Sequence, residues 1–211
     1  DLANAFTIPP RVSWHTATQA LARPGYLWDL FTTPRIETAN FRHIRVEGGL
    51  IDFINAQFDR TVTWEDARWM RETWGGKFAI KGVATPQDAE RCIAIGADAV
   101  WVSNHGGRQL GVAPAAVDTL PAIADAVRGR AEVIFDGGVR RGSDIVAALA
   151  LGANAVAIGR AYLWGLAAGG EHGVTRALTI LREELERTMA LVGRTRVSQL
   201  TRDVVVKRPA G

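Results

Sequence analysis

The chain has 211 residues, 47% of them hydrophobic, and a formal net charge of +3 at pH 7. This length and apolar content suit one sizeable core better than two. The small net charge and the lack of a basic run argue against nucleic acid as a partner. The single cysteine, Cys92, excludes an internal disulfide and is compatible with a reducing, cytoplasmic location. Since the chain opens on Asp1 rather than Met, we expect a cleaved product or the second chain of a larger unit.

Residues 1–60 form the least regular part of the chain. A short helix is predicted over 12–21, broken at Arg23-Pro24-Gly25, and Tyr26, Leu27, Leu30 and Phe31 then recur at helical spacing. This apolar face has two interpretations: packing on the domain or in an oligomer interface, or a membrane-surface or partner-binding segment. Residues 35–49 are predicted to be a mobile loop, and His15 and His43 to lie on the surface. No apolar run approaches the roughly 18 residues of a membrane span.

From Thr61 the chain alternates strands with helices. Apolar runs bounded by turn residues predict strands at 78–83, 99–102, 132–136 and 155–158. Helices are predicted at 64–73, 86–95, 117–127, 144–151 and 174–191. Three helix starts carry capping signals, namely Thr63 with Asp66, Thr85 before Pro86, and Ser143.

This alternation predicts an α/β fold with a parallel sheet and right-handed crossovers. The length of each unit matches half of a TIM (β/α)8 barrel, which typically needs ~250 residues. Four strands cannot close such a barrel, so we expect a companion fragment or a longer product to supply the other half. Residues 61–211 are therefore interpreted as a half-barrel with a closing helix, and residues 1–60 as an irregular segment with short helices.

A histidine and an arginine stand three residues apart on a glycine-rich turn after the second predicted strand. The turn reads Asn104-His105-Gly106-Gly107-Arg108, and in a (β/α) barrel this end of a strand is the catalytic face. Histidine titrates near working pH, which suits a general base, and arginine can hold a carboxylate bidentately. The sequence therefore predicts catalysis by His105 and carboxylate binding by Arg108, against the alternative of a structural histidine.

Two further features point to an anion site. Lys81 interrupts an apolar strand and needs an anionic partner if it faces inward, although a lysine at the strand's end could reach solvent. Glycine–arginine turns end the last two strands, at 136–140 and 159–160, and glycines let backbone N–H groups approach a phosphate. The alternative for Asp136 is a structural pair with an arginine. No metal site is predicted.

The same residues resemble those of a known family. Lys81-Gly82, the 103–110 stretch Ser-Asn-His-Gly-Gly-Arg-Gln-Leu, the 136–142 stretch Asp-Gly-Gly-Val-Arg-Arg-Gly, and Gly159-Arg160 occur in the family's order and spacing. The chain resembles the C-terminal part of FMN-dependent L-2-hydroxy acid oxidases and dehydrogenases, the glycolate oxidase, lactate dehydrogenase and mandelate dehydrogenase group. Residues 22–41 resemble the mandelate and lactate dehydrogenase branches most, in which the following loop can bind a membrane.

The resemblance implies a role for each matched residue. His105 would take a proton from a mandelate-like or lactate-like substrate, and Arg108 would bind its carboxylate. Lys81 would lie beside the flavin, with Ser103 near the flavin or the active-site polar network. The ribityl phosphate would be held by Asp136, Gly137, Gly138, Val139, Arg140, Gly159 and Arg160.

The resemblance also implies partners. The cofactor would be FMN, the working enzyme would need a companion N-terminal fragment, and the family is often a homo-tetramer. Peripheral membrane association is compatible with a cytoplasmic enzyme of this kind. Two alternative functions remain. One is a non-catalytic phosphate-binding half-barrel subunit, in which His105 and Arg108 have no role, and the other is a different FMN barrel oxidoreductase.

Overall fold

The computed structural model describes residues 14–33, 58–59 and 61–206. The chain divides into two compact units, Asp1–Val62 and Thr63–Gly211. In the first unit, helix α1 spans Trp14–Leu21 and helix α2 spans Pro24–Thr32, with Pro24 at the start of α2. Both predicted helices are therefore confirmed. The predicted loop at 35–49 and His43 lie outside the described residues.

The second unit contains the alternating strands and helices. Its elements are α3 (Trp64–Trp74), β1 (Ala79–Val83), α4 (Pro86–Ala94), β2 (Ala99–Val102), α5 (Ala116–Val127), β3 (Glu132–Phe135), α6 (Gly142–Ala150), β4 (Ala155–Val156) and α7 (Arg160–Leu191). The capping signals at Thr63 and Thr85 are confirmed, because each side chain accepts a hydrogen bond from the amide of the aspartate three residues later. Short 3-10 turns follow at Val197–Gln199 and Arg202–Val204.

The strands form one parallel sheet in the order β1-β2-β3-β4, as the sequence predicts. Lys81 lies opposite Trp101, and Trp101 opposite Ile134, so these three residues form a row across the sheet. Since neighbouring parallel strands end at the same edge, the segments that follow β1, β2 and β3 meet there.

The core lies between one face of the sheet and the helices. Val100 and Val102 of β2 are fully buried there against α5, whose Leu120, Ile123 and Val127 are also fully buried. Burying a side chain of this size contributes about 1.5–3 kcal/mol. The opposite face carries Lys81, Trp101 and Ile134, none of them fully buried. The sheet is thus packed on one side and open on the other within the described residues.

Two helix boundaries differ from the prediction. The prediction that Ser143 caps α6 is wrong, because the helix begins at Gly142 and the Asp144 carboxylate accepts from the amides of Arg140 and Arg141. A helical stretch that was not predicted begins at Arg160 and breaks at Gly169 and Gly170, where φ of Gly170 is 56°; the stretch after this break runs to Leu191 and contains the predicted closing helix over 174–191. Glycine adopts this left-handed conformation without steric cost, which allows the chain to turn between two helical stretches.

Candidate active site

Three polar side chains join the ends of β1, β2 and β3. The Lys81 ammonium lies 2.7 Å from Oδ2 of Asp136 and donates to Oγ of Ser103 at 2.8 Å. Ser103 in turn donates to Oδ1 of Asp136 at 2.5 Å. Ser103 is 3% exposed, whereas the side chains of Lys81 and Asp136 are 42% and 18% exposed. Lys81 therefore has an anionic partner at the sheet edge, which offsets the cost of its partial burial.

An aromatic ring supports this ammonium. Nζ of Lys81 lies 5.2 Å from the ring centroid of Trp101, its neighbour across β2. A cation above an aromatic face is attracted by about 0.5–1 kcal/mol at a partly exposed site. The indole Nε1 of Trp101 is buried and has no hydrogen-bond partner among the described residues. Trp101 was not among the predicted site residues, because its position opposite Lys81 is known only from the pairing of β1 with β2.

The turn that carries His105 has an unusual backbone. His105, Gly106 and Gly107 have φ values of 54°, 66° and 73°, all in the left-handed region. For a residue with a Cβ, this region costs roughly 1–2 kcal/mol. The His105 amide donates to Oγ of Ser103 at 3.1 Å, and Nη2 of Arg160 donates to the Gly106 carbonyl at 3.3 Å. These two hydrogen bonds attach the turn to the sheet edge and to the start of α7.

The imidazole of His105 is left open by this arrangement. The residue is exposed, and its side chain makes no hydrogen bond to another residue in the described part of the chain. Arg108 follows the turn and its amide donates to the His105 carbonyl at 3.4 Å. Both residues thus lie on one short turn at the sheet edge, as predicted from their spacing.

A pocket of about 400 Å³ opens beside this turn. The pocket is lined by the His105 turn, by the turn after β3, by Arg160 and by the starts of α5 and α6. Its wall is formed by Asn104, Gly106, Gly107, Ala115, Ala116, Val117, Phe135, Gly137, Gly138, Val139, Asp144, Ala147 and Arg160. Asn104 was missed as a site residue; its Nδ2 donates to the Pro114 carbonyl at 3.2 Å. This bond joins the two ends of the loop that contains His105 and Arg108.

The glycine turns have the donors that a phosphate group requires. The amides of Gly137, Gly138 and Gly159 have no acceptor among the described residues. Space is also open, because no atom lies within 4 Å of the Cβ position at Gly138 or Gly159. Arg160 adds a guanidinium at the wall of the pocket, where α7 begins. Backbone N–H groups and a guanidinium at a helix start fit the phosphate of FMN.

Val139 and Arg140, the remaining predicted residues of the turn after β3, differ from the glycines in burial and hydrogen bonding. Val139 is 7% exposed and belongs to the hydrophobic core, so only its backbone is available to a ligand. The amides of Arg140 and Arg141 both donate to Asp144 at 2.9 Å, and the Arg140 residue is exposed. Asp144 therefore holds the turn at 137–141 in shape, a role that its position three residues after Arg141 could have indicated.

Neither a reactive cysteine nor a metal site is found among the described residues. Cys92 is fully buried in the core, and burial raises the pKa of its thiol to about 11, so it is protonated at neutral pH. No group of three or more His, Cys, Asp or Glu side chains within the described ranges is placed to hold a metal ion. None of the helices described here is both long enough and apolar enough to span a bilayer.

Comparison with known proteins shows which sequences this chain is similar to. A putative L-lactate dehydrogenase of Mycobacterium tuberculosis is 41% identical over 201 residues, which are 95% of this chain and 48% of the relative. An L-lactate dehydrogenase of Alcaligenes faecalis is 38% identical over 205 residues, covering 95% of this chain and 54% of the relative. The chain thus spans about half the length of these relatives.

Solved structures agree with the sequence relatives. The structure of the monotopic membrane protein (S)-mandelate dehydrogenase superposes with a TM-score of 0.88 at 40% identity, over 97% of this chain and 55% of that one. A mandelate oxidase variant with a monooxide FMN adduct gives a TM-score of 0.64 at 42% identity, over 67% and 45%. The parallel sheet and these half-length matches confirm the predicted half of a TIM (β/α)8 barrel.

A family model matches nearly the whole chain. The sequence fits the model of the FMN-dependent dehydrogenases over residues 1–207. The match includes the Lys81 strand, the His105 turn and both glycine–arginine turns. The resemblance inferred from these motifs is therefore confirmed, and the chain belongs to the FMN-dependent dehydrogenase family.

Proposed function

We propose that the protein containing this chain oxidises an L-2-hydroxy acid, lactate-like or mandelate-like, to the 2-oxo acid with FMN as cofactor. One observation carries the proposal: the Lys81–Ser103–Asp136 network is bonded directly to the turn that presents His105. A fixed cation and an open imidazole therefore lie on the same edge of the sheet. The names of the relatives, which include lactate and mandelate dehydrogenases, support the substrate class.

His105 and Arg108 act on the substrate in this proposal. The oxidation removes two electrons and two protons from the hydroxyl-bearing carbon and its oxygen. A ring nitrogen of His105 accepts one of these protons as a general base, and the other proton goes, like the two electrons, to the electron acceptor. Arg108 binds the carboxylate through its guanidinium and thereby orients the hydroxyl-bearing carbon toward His105.

The other predicted residues bind the cofactor. When bound, FMN supplies the electron acceptor, since it takes up the two electrons that leave the substrate. The open amides of Gly137, Gly138 and Gly159 hold its phosphate together with Arg160 and Arg140. Lys81 would supply a positive charge that stabilises the negative charge of the reduced cofactor. Asp136 keeps this charge in place at 2.7 Å.

The flavin absorbance tests the function directly. The complete protein, loaded with FMN and kept free of oxygen, should lose its absorbance near the flavin band when lactate or mandelate is added. A His105→Gln variant should keep the flavin but no longer be bleached, whereas His172→Gln, an exposed histidine to which no role is assigned, should behave as the wild type. Failure of both acids to bleach the wild-type flavin would contradict the proposal, and would favour a non-catalytic subunit or another FMN barrel reaction.

A companion half of the barrel belongs to the proposal. Within the described residues β1 pairs only with β2, and β4 only with β3, so each has one edge without a strand partner. Open edges favour association with further strands. We expect the 211-residue chain alone to fail to hold FMN and to gain this ability when the remaining strands are present. Turnover by the isolated 211-residue chain would show that no companion is needed.

The first unit offers a surface for membrane association. Large apolar side chains on α1 and α2 are mostly exposed, namely Trp14 (86%), Leu21 (72%), Tyr26 (56%), Trp28 (71%) and Phe31 (81%). The similar (S)-mandelate dehydrogenase is a monotopic membrane protein, and this supports peripheral attachment here. Sedimentation with anionic lipid vesicles should be lost in Trp28→Ser with Phe31→Ser. If those substitutions instead dissociate an oligomer without changing vesicle binding, the surface is a subunit interface.

A further inference from the structure

Trp101 contacts the charged group of Lys81 with the face of its ring and not with its hydrogen-bonding group. Nζ of Lys81 lies 5.2 Å from the centroid of the Trp101 ring. An aromatic face attracts a cation within roughly 6 Å, and tryptophan does so most strongly. The indole Nε1 is buried and has no hydrogen-bond partner among the described residues. Buried tryptophans usually pair this group, so hydrogen bonding does not account for a tryptophan at this position.

The backbone brings the two side chains together. Lys81 pairs with Trp101 across neighbouring parallel strands, and the next pair is Val83 with Val102, so Gly82 is an extra residue in β1. Gly82 has a φ of 97°, a conformation that suits glycine and strains other residues. Such a bulge bends its strand and changes the direction of the neighbouring side chain. The register thus holds Trp101 beside Lys81 at the point where β1 leaves regular pairing.

The polar contacts of Lys81 do not fix its ammonium by themselves. A lysine ammonium carries three N–H donors. One donates to Oγ of Ser103 at 2.8 Å, and a second faces Oδ2 of Asp136 at 2.7 Å. Two contacts leave the ammonium free to swing about the line that joins the two acceptors. The ring of Trp101 adds a third contact, and this removes that freedom.

We infer that Trp101 is a positioning residue: its ring fixes the Lys81 ammonium, and through that ammonium it sets how strongly reduced cofactor is stabilised relative to oxidised cofactor. The inference rests on the proposed function for the role of Lys81, but the contact between the two side chains does not. Without the ring, the ammonium occupies its present position less often. The reduced cofactor, which carries more negative charge, then has to draw the ammonium back at the cost of the lost attraction.

The midpoint potential of the bound flavin measures this effect. In the complete FMN-loaded protein, Trp101→Leu should weaken the stabilisation of reduced over oxidised FMN about two- to fivefold. This lowers the potential by about 10–20 mV for a two-electron couple. Trp101→Phe keeps an aromatic face and should lower the potential by less than half as much. Ile134→Val, which trims the residue paired with Trp101 on β3, should leave the potential unchanged. An unchanged potential in Trp101→Leu, or an equal fall in Trp101→Phe, would overturn the inference.

A second pair of variants separates an effect through Lys81 from a general loosening of the sheet. In a Lys81→Met background the ring has no cation to hold, so adding Trp101→Leu should leave the potential where Lys81→Met alone puts it. If Trp101→Leu lowers the potential as much in this background as in the wild type, the ring acts independently of Lys81 and the inference fails. Should Trp101→Leu not fold, Trp101→Met, which is also apolar and has no ring, decides by the same criteria.

The contact itself can be tested in the complete protein without FMN. An acylating reagent modifies Lys81 when its amine leaves its partners, and peptide mass spectrometry measures the rate. Lys81 should be acylated about two- to fivefold faster in Trp101→Leu than in the wild type. Lys77, an exposed lysine paired with Asp98, is the internal control and should react equally in both. An unchanged rate at Lys81 would overturn the inference. If Lys81 reacts faster in Trp101→Leu but neither lactate nor mandelate bleaches the wild-type flavin, the proposed function fails while the positioning of Lys81 by Trp101 stands.

Discussion

Gly142, the first residue of α6, is a position where a single added methyl group should be strongly destabilising. A Cβ built there would lie 2.0 Å from the Leu185 amide nitrogen, 2.4 Å from the Glu184 carbonyl carbon and 2.6 Å from the Glu184 Cβ. Ordinary van der Waals contact starts near 3.4 Å, so α6 and α7 would have to separate by about 1.4 Å. The nearest atoms are backbone on α7, so a side-chain rotation cannot relieve the contact.

The magnitude follows from two contributions. Overpacking between rigid elements costs about 3 kcal/mol. The separation would also break the hydrogen bond from the Gly142 amide to Oε2 of Glu184, at 2.9 Å, which contributes about 1 kcal/mol. For Gly142→Ala we therefore expect a loss of about 4 kcal/mol, or a fall in Tm of about 8–16 °C for a unit of this size.

Thermal unfolding followed by circular dichroism measures this effect. Gly111→Ala is the matched control, because no atom lies within 4 Å of its Cβ position and its φ is not in the left-handed region. Its Tm should stay within about 2 °C of the wild type. Since Asp144 near the start of α6 holds the amides of Arg140 and Arg141, Gly142→Ala should also weaken FMN binding. A Tm for Gly142→Ala equal to that of the control would refute the reasoning about the α6–α7 contact.

Three further predictions concern groups away from the site. The buried Cys92, with its thiol pKa raised to about 11, should react with a thiol reagent at pH 8 only on unfolding; rapid reaction of the native protein would show an open core. Thr85→Ala removes the acceptor of the Asp88 amide and should lower the unfolding free energy by about 1 kcal/mol in urea titrations, unless the cap is redundant. The hydrogen bonds from Arg202 hold the pKa of Asp125 below its ordinary 3.8. The stability that the Arg202–Asp125 pair contributes is therefore present above pH 3.8 and is lost as the pH falls through the lowered pKa of Asp125. The urea midpoints of the wild type and of Arg202→Gln should accordingly become equal at acid pH. A difference between the two urea midpoints that stays the same at acid pH would contradict the contribution of this ion pair to stability.

The shared edge of the sheet is the part of the site that followed most directly from the sequence. Ser103 and Asp136 each follow an apolar run, and neighbouring parallel strands end at one edge. The hydrogen-bonded contacts of Lys81 with Ser103 and Asp136 were not predicted, because the sequence offered an arginine as the structural partner of Asp136. The same reasoning gave the parallel sheet and the helix starts at Thr63 and Thr85, because both depend on local patterns.

Contacts between distant segments could not be predicted in this way. The hydrogen bond from Arg160 to the Gly106 carbonyl joins residues 54 positions apart, and its partner is a backbone atom that every residue has. The early start of α7 and the cap at Asp144 depended on which turn packs against which helix. Ser143 was an equally good cap by type, and the longer-range packing of Gly142 against Glu184 favoured the earlier start.

The polar groups of the site divide into those the chain satisfies and those it leaves open. Lys81, Ser103 and Asp136 satisfy one another, so they build a frame that needs no ligand to keep its shape. The open groups are the imidazole of His105 and the amides of Gly137, Gly138 and Gly159, within the described residues. Exposed or pocket-lining donors without partners are available to a ligand at little desolvation cost. Replacing His105 should therefore remove a contact to the substrate, whereas replacing a member of the frame should disturb the shape of the site.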